Sequence, residues 1–153
     1  MNKTVVLGMG NRLMGDDGIG NYVVEELQRQ NAFPGLRMAA GETDPEYCMD
    51  ELKDASRVIL IDAAHTGAVP GAVTAIPLRD ALDKLPLSFS SHHLDLLQYL
   101  RQYHREEGIL IAIEACTVEW RFGLSPEMKK RFPDIVAEVA LHLQNWLNSE
   151  DSF

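Results

Sequence analysis

An apolar run, Thr4-Val5-Val6-Leu7, stops at Gly8, and Gly10, Gly15, Gly18 and Gly20 follow it with Asp16-Asp17 in their midst. Directly downstream, Ile19, Val23, Val24 and Leu27 recur on one face of a 3.6-residue period. The run reads as a strand buried on both faces, over about Lys3 to Gly8, and the period as a helix over about Ile19 to Arg29. Strand, glycine-rich loop and helix form the opening of a βα unit. That unit narrows the possibilities to a mostly parallel sheet with helices packed on it, in which sites lie outside the carboxyl ends of the strands.

The remainder repeats the alternation. Pro34-Gly35 breaks the chain before a short strand at Leu36 to Ala40. Asp44 is placed to cap a helix over Pro45 to Leu52, with proline at its first position. Arg57-Val58-Ile59-Leu60-Ile61-Asp62 is a third strand that delivers a carboxylate at its carboxyl end. Val73 to Ile76 reads as an edge strand because Pro77 closes it, and Arg79 to Lys84 as a short helix. Ser90-Ser91-His92-His93 opens a helix carried by Leu94, Leu97, Tyr99, Leu100 and Tyr103. A fifth strand, Ile109 to Ala115, precedes the loop Cys116 to Gly123. A last helical region starts at Ser125-Pro126-Glu127, and Pro133 is expected to restart or kink it. The predicted fold is α/β and three-layered, a mostly parallel twisted sheet of about five strands with helices on both faces. One domain is expected over 1–153.

With 153 residues, 46% of them hydrophobic and 24% charged, the chain can bury a full core. The net charge of −9 disfavours nucleic acid or an anionic membrane surface as partner. No apolar run approaches the roughly 20 residues that span a bilayer. Met1-Asn2-Lys3 enters a strand without a signal-peptide pattern, and Cys48 and Cys116 form no Cys-x-x-Cys pair; both features fit a reducing cytoplasm.

Gly8-x-Gly10 begins a dinucleotide fingerprint, but Leu13 stands where its third glycine belongs, and two aspartates repel a pyrophosphate. A cation is the better guest. Asp16 reads equally as a turn residue favoured by a helix N-terminus. Asp17 has a partner: Asp62 ends a strand that neighbours the first in folds of this kind, so the two carboxylates can converge. His92 can reach the same rim. Two carboxylates and one imidazole make a three-ligand site with open positions, suited to a borderline divalent metal. His93 and His65 are reserve ligands, whereas His104 and His142 read as helix-surface residues. Cys116 offers a nucleophile to pair with His92, but because it follows an apolar strand it is expected to be buried and inert. Glu42 is a loop acid or a backbone cap, and Trp120-Arg121-Phe122 either contact a substrate or cover the core.

These residues together resemble the hydrogenase maturation endopeptidases. The resemblance rests on Gly10-Asn11 with Asp16-Asp17 and Gly20, on Ile61-Asp62-Ala63 with Pro70-Gly71, on Ser91-His92 with Leu94, and on Phe122-Gly123-Leu124-Ser125. It departs at Gly41-Glu42-Thr43, where relatives often carry glycine instead of Glu42. The resemblance implies a cytoplasmic, nickel-dependent endopeptidase of the aspartic type. Its partner would be the precursor of a nickel–iron hydrogenase large subunit, from which it removes a C-terminal extension once nickel is in place. Asp17, Asp62 and His92 would be the catalytic and metal-contacting residues. Nickel would arrive with the substrate, and no organic cofactor is implied. The competing expectation is a Rossmann-like nucleotide- or flavin-binding module.

Overall fold

A computed structural model describes residues 3–84, 91–102 and 107–150; the side chains at 82–84, 91–95, 97 and 150 are outside that description. The expectations placed on Ser90, Tyr103 and His104, and on the side chains of Ser91, His92, His93, Leu94 and Leu97, therefore lie outside the described residues. The strands are β1 (Thr4–Gly8), β2 (Arg37–Ala40), β3 (Arg57–Ala64), β4 (Val73–Pro77) and β5 (Gly108–Glu114). The helices are α1 (Ile19–Arg29), α2 (Pro45–Leu52), α3 (Leu78–Lys84), α4 (Ser91–Gln102) and α5 (Pro126–Glu150). The strands form one sheet in the order β2-β1-β3-β5-β4. Every pairing is parallel except β4 with β5, which places the Pro77 strand at an edge as its missing N–H requires.

Strand alternation sends side chains to two separate cores. On one face Val6, Ile59, Ile61, Ile111 and Ile113 pack against Ile19, Val23 and Leu27 of α1 and Val136, Val139 and Leu143 of α5. On the other, Val5, Leu7, Val58, Leu60 and Leu110 pack against Cys48 and Leu52 of α2, Leu78 and Ala81 of α3, and Leu96 and Leu100 of α4. Each face is thus covered by helices, as the sequence pattern requires.

Two elements differ in extent from the sequence reading. β3 continues to Ala64, because Asp62, Ala63 and Ala64 keep pairing with Ala112, Ile113 and Glu114 of β5. Asp62 therefore sits within the strand. α5 runs unbroken through Pro133 instead of restarting there. Pro133 and Lys129, whose carbonyl loses its helical partner, are both exposed, so water can serve that carbonyl. Among the described residues no helix is long and apolar enough to cross a membrane.

Candidate active site

β1 and β3 lie side by side, with Gly8 opposite Ile61. The loop after β1 is pressed onto β3 by small residues. A Cβ on Gly20 would stand 2.1 Å from the Ile61 carbonyl oxygen, and one on Gly8 would stand 2.2 Å from the Gly20 oxygen. Only glycine allows the start of α1 to come this close. Gly10, at φ 130°, is equally constrained, since a Cβ there would meet the Asp17 carbonyl oxygen at 1.9 Å. Asp16 and Asp17 follow in a single 3-10 turn, Gly15–Gly18, just ahead of α1.

The two adjacent carboxylates do different things. Asp16 is fully buried. Its oxygens accept from Cys116 N at 3.1 Å, Thr117 N at 2.8 Å, Ser125 N at 2.7 Å and Ser125 Oγ at 2.8 Å. It is a structural clamp that fastens the turn to the loop between β5 and α5, which settles in favour of the structural reading of Asp16. Asp17 accepts from Asn11 N at 2.9 Å through Oδ2, while its Oδ1 lies 3.3 Å from His65 Nε2. The carboxylate raises the His65 pKa above its ordinary value, against the opposing effect of partial burial.

Asp62 is fully buried, on the face of β3 that also carries Leu60, and its Oδ1 accepts from Ala63 N at 2.8 Å. The backbone of His92 falls in the first turn of α4, and α4 covers that same face through Leu96 and Leu100. The side chains of His92 and His93 lie outside the described residues. Among the described residues, no group of three or more His, Cys, Asp or Glu side chains is arranged to hold a metal ion. What the fold does bring together is Asp17 with His65.

Three residues that sequence reasoning passed over or left open shape the rim. Buried Asn21 donates to the Gly10 carbonyl at 2.8 Å and accepts from Glu42 N at 3.0 Å, tying α1 to both loops. Glu42 adopts φ 55° and is a loop acid, not a cap: it pairs with Arg12, Nε to Oε1 at 2.9 Å and Nη2 to Oε2 at 2.6 Å. Arg12 also contacts Glu25 and the face of the Tyr22 ring, and Glu42 and then Glu25 raise its pKa further. Glu114, buried at the end of β5, accepts from Thr66 N at 2.8 Å, Gly67 N at 2.9 Å and Thr66 Oγ1 at 2.8 Å. It ends a strand that reads as wholly apolar. The available signal was an acid at a strand terminus on the site's rim.

The chemistry of the thiols and hydroxyls narrows the mechanism. Cys48 is buried, and burial together with nearby Asp44 and Asp62 pushes its pKa up to about 12, so it is no nucleophile. Cys116 is exposed, contrary to expectation, because β5 stops at Glu114 and Asp16 draws the following backbone outward into a loop. Ser125 spends its hydroxyl on Asp16 and accepts from Met128 N at the start of α5. Trp120 and Phe122, 79% and 74% exposed, do not cover the core. The glycine loop is also ill suited to a phosphate. The N–H groups of Gly10, Asn11, Leu13, Met14, Gly15 and Asp16 all donate within the protein, leaving few for a nucleotide.

A family model described as hydrogenase maturation protease, HycI, matches residues 21–142. A provisionally named hydrogenase maturation protease of Methanocaldococcus jannaschii is 29% identical over 138 residues, covering 89% of this chain and 86% of its own. Among solved structures, the hydrogenase maturating endopeptidase HybD from E. coli superposes with a TM-score of 0.77 at 21% identity, over 94% of this chain and 93% of that one. The nickel–iron hydrogenase maturation protease HybD from Thermococcus kodakarensis gives 0.74 at 25% identity, over 92% and 98%.

Proposed function

The chain belongs to the hydrogenase maturation protease family, and from that premise we propose that it removes a C-terminal extension from the precursor of a nickel–iron hydrogenase large subunit. On this reading the protein recognises nickel already carried by the precursor through Asp17, Asp62 and His92. The observation that carries the proposal is the separation of roles between Asp16 and Asp17. One carboxylate locks the turn, which leaves the other held at the mouth of β1 with an imidazole beside it.

The donor types suit the ion. Imidazole is a borderline ligand suited to divalent nickel, mixed N and O donors can hold it, and three of them leave positions for groups the substrate brings. Two carboxylates facing one spot also resist joint ionisation, a cost that a cation removes. Nickel, as part of the substrate, supplies a positive centre that docks the tail and can polarise a carbonyl. The chain's own residues hold and orient. Asn11 N–H fixes Asp17, Ala63 N–H fixes Asp62, and the Arg12–Glu42 pair walls one side of the loop. Ser125 is committed to Asp16 and Cys48 is held protonated by burial; on this reading exposed Cys116 takes no part and water is the nucleophile, as in an aspartic-type hydrolase. Against β4 and β5, a cavity of about 180 Å³ lined by Ala64, Thr66, Thr74, Ile76, Leu110 and Ala112 offers room for a side chain of the tail.

The test is a cleavage assay with purified precursor, nickel-loaded and nickel-free. Only the loaded form should be trimmed, and Asp17→Ala or Asp62→Ala should stop the reaction. Equal trimming of both forms removes the nickel-sensing role.

A further inference from the structure

Resting on that reading of the site, we propose that His65 is a further nickel-contacting donor, sharing the ion with Asp17. The spacing is the first reason. His65 Nε2 and Asp17 Oδ1 are 3.3 Å apart. A charge-assisted N–H···O⁻ bond between imidazolium and carboxylate closes to about 2.7–2.9 Å. Two donors that each stand about 2.1 Å from one ion, at angles between tetrahedral and octahedral, are instead about 3.0–3.4 Å apart. The observed gap is that of a long hydrogen bond, and it also spans two ligands of a common cation, so the pair needs no rearrangement to share one.

The second reason is how the imidazole is held. His65 follows the last residue of β3, where a loop would ordinarily be free to move. Buried Glu114 instead takes three hydrogen bonds from the next two residues, Thr66 N, Thr66 Oγ1 and Gly67 N. A carboxylate kept out of water for this purpose fixes the loop that presents His65. Asp17 is fixed from its own side by Asn11 N–H and, one residue back, by the Asp16 clamp. Two loops from neighbouring strands are thus each anchored by a buried acid, and each offers one donor to the same point.

The third reason is access. The His65 side chain is 36% exposed and that of Asp17 13%. An ion arriving on another protein can approach from the His65 side without disturbing the core. Nickel held by the substrate would then meet an imidazole from the β3 loop in addition to the α4 histidine.

The experiment uses the full-length protein with nickel ion alone, and cobalt ion as a paramagnetic reporter. Protein labelled with ¹⁵N-histidine should show the His65 ring N–H shifted far outside the diamagnetic range when cobalt binds, with no variant needed. His65→Gln keeps an N–H that can donate to Asp17 but loses the imidazole. Nickel affinity by titration calorimetry should fall by ~100-fold or more, beyond the range typical for loss of an outer-shell partner, and the cobalt complex should lose one shifted imidazole resonance. Nickel affinity within twofold of wild type, or weaker binding with every shifted imidazole resonance retained, overturns the assignment. Asp17→Ala and Asp62→Ala separate the two levels. If both lose nickel while His65→Gln does not, only the role of His65 fails. If neither variant loses nickel, the site reading fails and this assignment with it.

Discussion

The loop after β1 and the loop after β3 reach the same rim by the same device, and the difference lies in how far each anchor extends. In the first, Asp16 binds groups a hundred residues along the chain, at Cys116, Thr117 and Ser125. In the second, Glu114 reaches across one strand pairing to Thr66 and Gly67. Asp16 is therefore part of what joins the two ends of the fold, whereas Glu114 only shapes the local turn. In both loops the residue that can meet a ligand is the neighbour of an anchored one: Asp17 beside Asp16, and His65 beside Thr66. Asp16 serves as a rigid support because four hydrogen bonds already occupy its two oxygens.

Removing the anchors should separate stability from activity. Asp16→Ala leaves the N–H groups of Cys116, Thr117 and buried Ser125 without their acceptor, and should cost ~3–5 kcal/mol in urea unfolding. A loss under about 1 kcal/mol would mean that Asp16 is not the clamp described. Asp17→Ala gives up the hydrogen bond from Asn11 and the contact with His65, at a side chain that is partly open to solvent. Its unfolding free energy should stay within about 1 kcal/mol of wild type while trimming of nickel-loaded precursor disappears. A variant that keeps trimming would break the contrast between the two neighbours.

Smaller effects sharpen the second loop. Glu114→Gln keeps an acceptor but loses the charge, and should cost ~1–2 kcal/mol of stability. It should also weaken nickel binding less than His65→Gln does. The reverse order would show that Glu114 does more than hold the loop. The thiols give the smallest test. An uncharged alkylating reagent at neutral pH should modify Cys116 in the native protein and reach Cys48 only after unfolding, since burial keeps that thiol protonated. Equal labelling rates would contradict the packing of α2 on the sheet.

Much of this arrangement was legible from residue order. The strand, loop and helix at Thr4–Arg29, the Asp44-capped α2, the β3 run and the edge strand closed by Pro77 all follow from apolar period, capping chemistry and proline's missing N–H. These are local rules acting within a few residues. The Asp16–Asp17 pair shows where they stop. Both are acids in one glycine-rich turn, and nothing in their neighbourhood along the chain tells which will be consumed. The exposure of Cys116 and the role of Glu114 were hidden for the same reason, since an apolar strand pattern says nothing of what the chain meets beyond its end.

By itself, then, the sequence determined a mostly parallel sheet covered on both faces, with Asp17 in the loop after β1 and Asp62 in β3, because periodicity and turn chemistry act over short spans of chain. Only the tertiary structure decided which carboxylate is buried as a support and which lies beside an imidazole at the rim. It also brought His65 up to Asp17 and set Glu42 against Arg12. Those outcomes depend on hydrogen-bond partners supplied by segments remote in sequence, and a buried carboxylate's role is defined by the donors that reach it.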